Sequence, residues 1–385
     1  MFDRRYTRWS HVIVLFTLIA VPVLAEESPA DQSTLFGFLT ATEKVYQSQL
    51  FVQPDGSLLM VWTQAGEADL DLFVASQISA DAFSRPIRIN RAPVNGYTGD
   101  EARPTVAFGP DGRIAVAWTA ADGDIMAATG VTDGLVFTAP IKLNQDENKT
   151  SRTMPAITYT SDGVAHAVWV DGRDAPKGME EPANIYYARL MDGRAEETNL
   201  TAAQAASVCG CCRPYIGTNA AGGLDIAFRN TSDTGYRDIS YITADAKGDF
   251  SAPQPTSPPI WKLQGCPMSG PIRYDDGTLW RDASTGSWRL LWSTTAEQDP
   301  TTLFGDRDDL QMTRPPRSVS GADGWVLMGG KPNSFIIAKQ DAEWQIVREG
   351  LPEWASSAAL TDDTLILVGN VKGRFHAETL DLSTE

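Results

Sequence analysis

The chain has 385 residues, with 32 glycines, 23 prolines, 11 tryptophans and a formal net charge of -17. Such a polyanion repels nucleic acid and anionic lipid at long range, because phosphate binding needs basic surface, although a local arginine cluster can still hold a small anion. Low-complexity linkers and long helical periodicities are both missing from the sequence, so the length points to one large repeat fold rather than two ordinary domains.

In chain order, the first feature is "MFDRRYTRWSHVIVLFTLIAVPVLAEES". Arg4, Arg5 and Arg8 precede an uncharged run from Val12 to Leu24, and Val23 and Ala25 stand at the -3 and -1 positions for cleavage before Glu26. This is the pattern of a secretory signal peptide over residues 1–25. The run falls short of the about 20 residues of a spanning helix, and Pro22 interrupts its end. The expectation is an exported protein, periplasmic or secreted, with no membrane insertion after cleavage and a single domain over residues 26–385. An uncleaved anchor is the alternative.

Internal repeats follow. "PDGSLLMVW", "PDGRIAVAW" and "SDGVAHAVW" each join a turn to an alternating strand, with Gly56, Gly112 and Gly163 six residues before Trp62, Trp118 and Trp169. Gly222 to Phe228 and Gly286 to Trp292 keep the spacing. Asp-Gly supplies the positive φ of a tight hairpin, and alternation marks a half-buried strand. Further along each unit, "AFSRP", "VFTAP" and "DFSAP" place Phe83, Phe137 and Phe250 three residues before a proline, which stops further pairing. "GWVLMGG" and "TLILVGN" resemble two more inner strands. Units of this length and content predict an all-β chain, a β-propeller of six or seven four-stranded antiparallel blades, with seven favoured by the repeat count. The segment "TLFGFLTAT" is expected to add a strand that closes the ring.

These units resemble degenerate bacterial neuraminidase repeats, the Asp-box hairpins of sialidase-like propellers; "TDGLVFTAP" and "ADAKGDFSAP" keep parts of the box. More narrowly, "CGCCRP", "AFRNTSDTGYRDISY" and "WKLQGCPMSGP" occur in the order found in a subgroup of sialidase-like secreted bacterial proteins. The resemblance implies a propeller that binds carbohydrate or another small anionic ligand, or an exo-acting glycoside hydrolase. The hydrolase would need an arginine triad for a carboxylate, a tyrosine nucleophile with a glutamate, and an acid/base aspartate. Arg103 and Arg213 each precede a proline at the start of an inner strand and could converge with Arg237 at the mouth of the ring, with Trp261 nearby in the signature. Arginine suits that task because its planar fork bonds a carboxylate bidentately. Glu101, Tyr236 and Asp238 are weak catalytic candidates, and pairing of these arginines with aspartates between blades is the structural alternative.

Four cysteines remain: Cys209, Cys211, Cys212 and Cys266. Any full pairing leaves a strained disulfide inside the trio, so relaxed chemistry allows one long bridge to Cys266 and two thiols. A soft metal, copper or zinc, held by these sulfurs with Met268 is the second reading, and a strained redox bridge the third.

Overall fold

The computed structural model describes residues 34–383, apart from 40–43, 67, 68, 98, 148–151, 175–182, 192, 203–206, 232, 233, 264, 266, 275, 311 and 330–333. Residues 1–25, where a signal peptide is expected, therefore lie outside the described residues, as does Cys266. Among the described residues no helix is long and apolar enough to cross a membrane.

Seven antiparallel sheets follow one another along the chain, and they are the seven blades of a β-propeller. Blade 1 runs from Val45–Val52 through Leu58–Ala65 and Leu70–Ser79 to Ala82–Phe83 and Ile87–Arg88. Blade 3, with Arg152–Tyr159, Ala165–Asp171, Asn184–Met191 and Arg194–Asn199, shows the simple up-and-down order. Blades 2, 4, 5 and 6 open with Thr105–Phe108, Tyr215–Thr218, Ile272–Tyr274 and Arg317–Ser318. Blade 7 has three strands among the described residues, Ala355–Thr361, Thr364–Val371 and Arg374–Asp381. The ambiguity between six and seven blades is thus resolved as seven.

The repeat signals map onto fixed places. Gly56, Gly112, Gly163 and Gly222, with φ between 67° and 85°, turn the hairpin from the innermost strand to the second. Trp62, Trp118, Trp169 and Phe228, all 0–2% exposed, sit on the second strand. The fifth unit differs: Gly286 and Trp292 belong to the hairpin one strand later, between Gly277–Asp282 and Arg289–Ser293. Trp280 occupies the second-strand place there. The indole N–H groups of Trp62, Trp169 and Trp280 donate to the side chain two residues on, Gln64, Asp171 and Asp282.

Alternation along each strand sends side chains to opposite neighbours. Ala165, Ala167 and Trp169 pack toward blade 2, whereas Val168 and Val170 pack toward blade 4. The apolar clusters accordingly lie between blades. The one between blades 4 and 5 is the smallest, built on Ile239, Trp280 and Leu291.

The Thr34–Leu39 segment does not extend a sheet. Thr34–Phe36 is a 3-10 turn, and Phe36 wedges between Phe83 of blade 1 and Phe375 of blade 7 at centroid distances of 5.6 and 5.3 Å. Two aromatic residues in this segment, Phe36 and Phe38, contribute packing rather than ladder hydrogen bonds; the rest of the expected closing strand, residues 40–42, lies outside the described residues. The seam between the last and first blades is held by Val45 N–H to Gly373 O (2.7 Å) and Leu50 N–H to Ser357 Oγ (3.1 Å), over the packed cluster.

Candidate functional site at the mouth of the ring

The innermost strands are irregular where they begin. Those of blades 1, 3 and 7 carry bulges between Tyr46 and Gln49, Thr153 and Ala156, and Ala355 and Ser357. Bulges concentrate at barrel rims and binding sites because they re-aim side chains. Blade 4 exaggerates the same device. Ser207–Val208 pairs with Thr231 and Asn230, and pairing resumes only at Tyr215 opposite Ala227. The six residues Cys209–Pro214 loop out of the ladder between these points.

That detour carries Arg213 across three blades. Its guanidinium donates to the carbonyls of Pro155, Glu101 and Arg103, and its backbone N–H donates to Glu101 Oε2 at 3.1 Å. Desolvation pushes the Arg213 pKa down to about 10 against the opposing pull of Glu101. Gly270 of the next blade approaches so closely that a Cβ there would sit 1.9 Å from Arg213 O. No side chain fits that contact.

Arg229 continues the pattern, with backbone carbonyls as its partners. It is 0% exposed and donates to Ser269 O (2.9 Å), Arg237 O (2.6 Å) and Arg281 O (2.9 Å). Arg281 donates to Met312 O at 2.7 Å and Pro267 O at 3.2 Å, and burial lowers its pKa to about 10. These arginines therefore clamp adjacent blades through backbone carbonyls rather than through aspartates. Arg152 uses the ionic form instead, with Asp171 at 3.1 Å. Arginine tolerates such burial because it stays charged and presents five donors in a fixed fork.

At the centre lies an axial cavity of about 310 Å³ to which all seven blades contribute; Gln49, Glu101, Arg103, Arg213, Tyr215 and Arg317 are among its polar lining. Arg103 Nε is buried and has no hydrogen-bond partner among the described residues. Arg103 and Arg213 thus share one wall system, with Glu101 beside them.

The other sequence candidates lie elsewhere. Arg237 precedes the third strand of blade 4 and is not among the cavity-lining residues; its Nε–H donates to Leu263 O at 3.2 Å. Asp238 Oδ1 accepts the amides of Ile260 (3.1 Å) and Trp261 (3.3 Å), which anchors that loop, and burial raises its pKa. Trp261 is buried, 4% exposed, with the Arg229 guanidinium 5.2 Å from its ring. Tyr236 stands under Lys262, whose Nζ is 4.8 Å from the ring centroid. Met268 is half-exposed, and its sulfur lies 4.0 Å from the Tyr97 hydroxyl.

Three sulfurs of the detour do come together, within 4.8 Å of one another, a spacing that a metal could span. Cys209 Sγ is 3.5 Å from Cys211 Sγ and 3.0 Å from Cys212 Sγ. Cys209 and Cys212 are fully buried and lie outside any disulfide, while Cys211 is partly exposed. Burial pushes the Cys212 thiol up, but the Cys209 hydrogen bond, the Arg229 charge and the Ser269 amide (3.4 Å) together bring it below its ordinary value.

Sequence reading offered Arg229 only as a further ligand candidate and did not foresee it or Arg281 as clamps, although "AFRN" and "LWRD" both place arginine directly after the second-strand aromatic. It also missed Arg317 in the cavity wall. "RPPRS" offered a signal, since its arginine follows prolines at the start of an inner strand as Arg103 and Arg213 precede them.

No protein-family model and no curated protein matches this sequence. Solved structures similar to it share the fold at low identity. A puromycin-hydrolyzing peptidase of Mycobacterium tuberculosis aligns with a TM-score of 0.55 at 12% identity, over 88% of this chain and 52% of that one. The chain therefore spans about half the length of that peptidase. The β-propeller domain of the Trilobed protease from Pyrococcus furiosus, described as having an open velcro topology, gives 0.50 at 10% identity over 88% and 98% of the two chains. The polysaccharide lyase Uly1 gives 0.52 at 10% identity over 87% and 90%. These likenesses show a shared fold alone, a propeller whose seven blades are read from the sheets of this chain, and they carry no chemistry to it.

Proposed function

We propose that the protein is an exported, sialidase-like propeller that binds a small anionic or carbohydrate ligand in its axial cavity. One observation carries this reading: in a chain of net charge -17, three arginines and a single glutamate form the charged lining of the cavity. A volume of about 310 Å³ suits one sugar ring or a small carboxylate, at the low end of ligand pockets. Arg103 has a donor to offer, since its buried Nε lacks a partner among the described residues, as does the Nε of Arg213 in the same wall. Arg213 shapes the wall, because its terminal nitrogens are spent on carbonyls. One fold hosts many chemistries, a polysaccharide lyase and a peptidase among them, so the lining and not the propeller supports the ligand class.

A hydrolase reading draws on Glu101, a buried carboxylate beside Arg103 and Tyr215 in the same cavity. Binding is favoured over it because Glu101 is already engaged with the Arg213 backbone. At the cysteines, we infer a bridge from Cys211 to Cys266. It is supported by Cys209 and Cys212 being free thiols, which leaves Cys211 of the trio to pair with Cys266.

Calorimetric titration with N-acetylneuraminate, glucuronate and glucose tests the ligand reading. Saturable binding of an acidic sugar is expected, with Arg103→Gln weakening it roughly 10- to 100-fold, the worth of a charge-assisted hydrogen bond. Equal affinity in the variant, or no saturable binding by the natural protein, would overturn it. Release of a reporter from an aryl sialoside would replace it with the hydrolase.

A further inference from the structure

The detour in blade 4 contains a chemical group that ligand binding does not use. Cys209 and Cys212 are the two ends of a C-x-x-C segment, and their sulfurs are 3.0 Å apart. The separation is that of a thiol hydrogen bond from Cys209 to Cys212, about 1 Å longer than a disulfide bond, and both sulfurs are closed to solvent. The third sulfur, Cys211, lies 3.5 Å from Cys209 on the partly exposed side. The buried Arg229 charge acts on Cys212, with Glu101 opposing it, and the Ser269 amide donates to Cys212 Sγ at 3.4 Å. Both features favour a thiolate and the negative charge that develops during exchange.

We propose that Cys209, Cys211 and Cys212 form a thiol–disulfide relay, in which the disulfide at Cys211 moves inward to join Cys209 and Cys212. The Cys209 thiolate attacks Cys211 Sγ; the Cys209–Cys211 bond forms, and the sulfur now bonded to Cys211 leaves as a thiolate and takes up the proton that Cys209 gave. The Cys212 thiolate then attacks Cys209 Sγ, the Cys209–Cys212 bond forms, and Cys211 leaves as a thiolate that takes the Cys212 proton. One disulfide is broken and one made, so no outside oxidant or reductant is consumed. The product buries its disulfide and presents a nucleophilic thiol at Cys211, two residues from the Arg213 wall of the axial cavity. That thiol reacts with soft electrophiles, disulfides of other molecules foremost. The relay rests on the Cys211 bridge inferred above and is independent of the ligand reading, whose failure would leave it standing.

Native protein, purified without reductant, is incubated with iodoacetamide for increasing times and then acid-quenched. After denaturation and reduction, N-ethylmaleimide marks the sulfurs that had been in disulfides, and fragmentation of the cysteine peptide places each label. Because alkylated Cys211 cannot return, the expected result is time-dependent growth of a species with iodoacetamide on Cys211 and N-ethylmaleimide on Cys209 and Cys212. Cys212→Ser should abolish that species; should the variant not fold, the natural protein's time course decides alone. The relay is overturned if Cys211 stays unalkylated while the fold persists, or if stoichiometric zinc or copper accompanies the protein with both thiols held. Iodoacetamide on all three cysteines in protein denatured without incubation would overturn the Cys211 bridge itself.

Discussion

His166 is sealed inside blade 3, with Nδ1 2.6 Å from the Tyr187 hydroxyl and Nε2 2.9 Å from Thr160 Oγ1. Burial lowers its pKa to about 4, with Asp162 opposing. Between that value and the usual 6.5, an unfolded chain binds a proton that the folded one refuses, so stability falls as pH drops through this window. The loss should reach about 2 kcal/mol by pH 4.5, and urea titrations at pH 7 and 4.5 would show it shrinking in His166→Gln. An unchanged difference would mean that His166 is not the group responsible. Gly270 makes the matching steric point, since its missing Cβ admits Arg213 O. Gly270→Ala should cost about 1–3 kcal/mol, the range for overpacking, and should weaken ligand binding as the strand beginnings of blades 4 and 5 part. Its place in "CPMSGP" could be read from sequence; its reason could not, because close approach across blades is a tertiary fact.

Hairpins carry the fold, and their chemistry is local enough to be read from residues alone. Gly56 has φ of 85° with nothing within 4 Å of a built Cβ, so only backbone preference demands glycine there. Gly56→Ala should therefore cost about 1 kcal/mol and Gly56→Asn less, measured by chemical unfolding; a neutral alanine would show that the turn relaxes. The same locality explains the misplaced fifth unit. Gly286 and Trp292 reproduce the six-residue spacing, but the spacing specifies a hairpin, not which hairpin of a blade. The beginnings of the inner strands were less legible still. Bulges at Gln47 and Met154, with φ of 51° and 60°, place non-glycine residues where sequence patterns expect regular strand. The Cys209–Pro214 detour, which positions Arg213, follows from no periodicity.

At the scale of the whole ring, seven blades rest on neighbour-to-neighbour contact, and polar side chains stitch the mouth: Gln49 to Pro104 O (2.9 Å), Arg213, Arg229 and Arg281 onward, and Arg314 to Ala355 O (3.3 Å). The seam between blades 7 and 1 depends on Phe36. Phe36→Ala should cost about 3–5 kcal/mol, and hydrogen exchange should quicken in blades 1 and 7 while blades 3 and 4 keep their protection. Uniform quickening would mean that the ring unfolds as one unit. The propeller was legible because the glycine-to-aromatic hairpins recur, but six or seven blades stayed open because the last two units are weaker; the closure was not legible, because aromatic packing and strand pairing both draw on the same apolar residues.

The indoles of Trp62, Trp169 and Trp280, each dry and tethered to a neighbouring polar group, stand in blades 1, 3 and 5. They are built-in fluorophores spaced around the circle. Replacing all but one with phenylalanine would turn the emission colour of the survivor into a local gauge of water entry, so that the order in which sectors of the ring let go could be watched in real time.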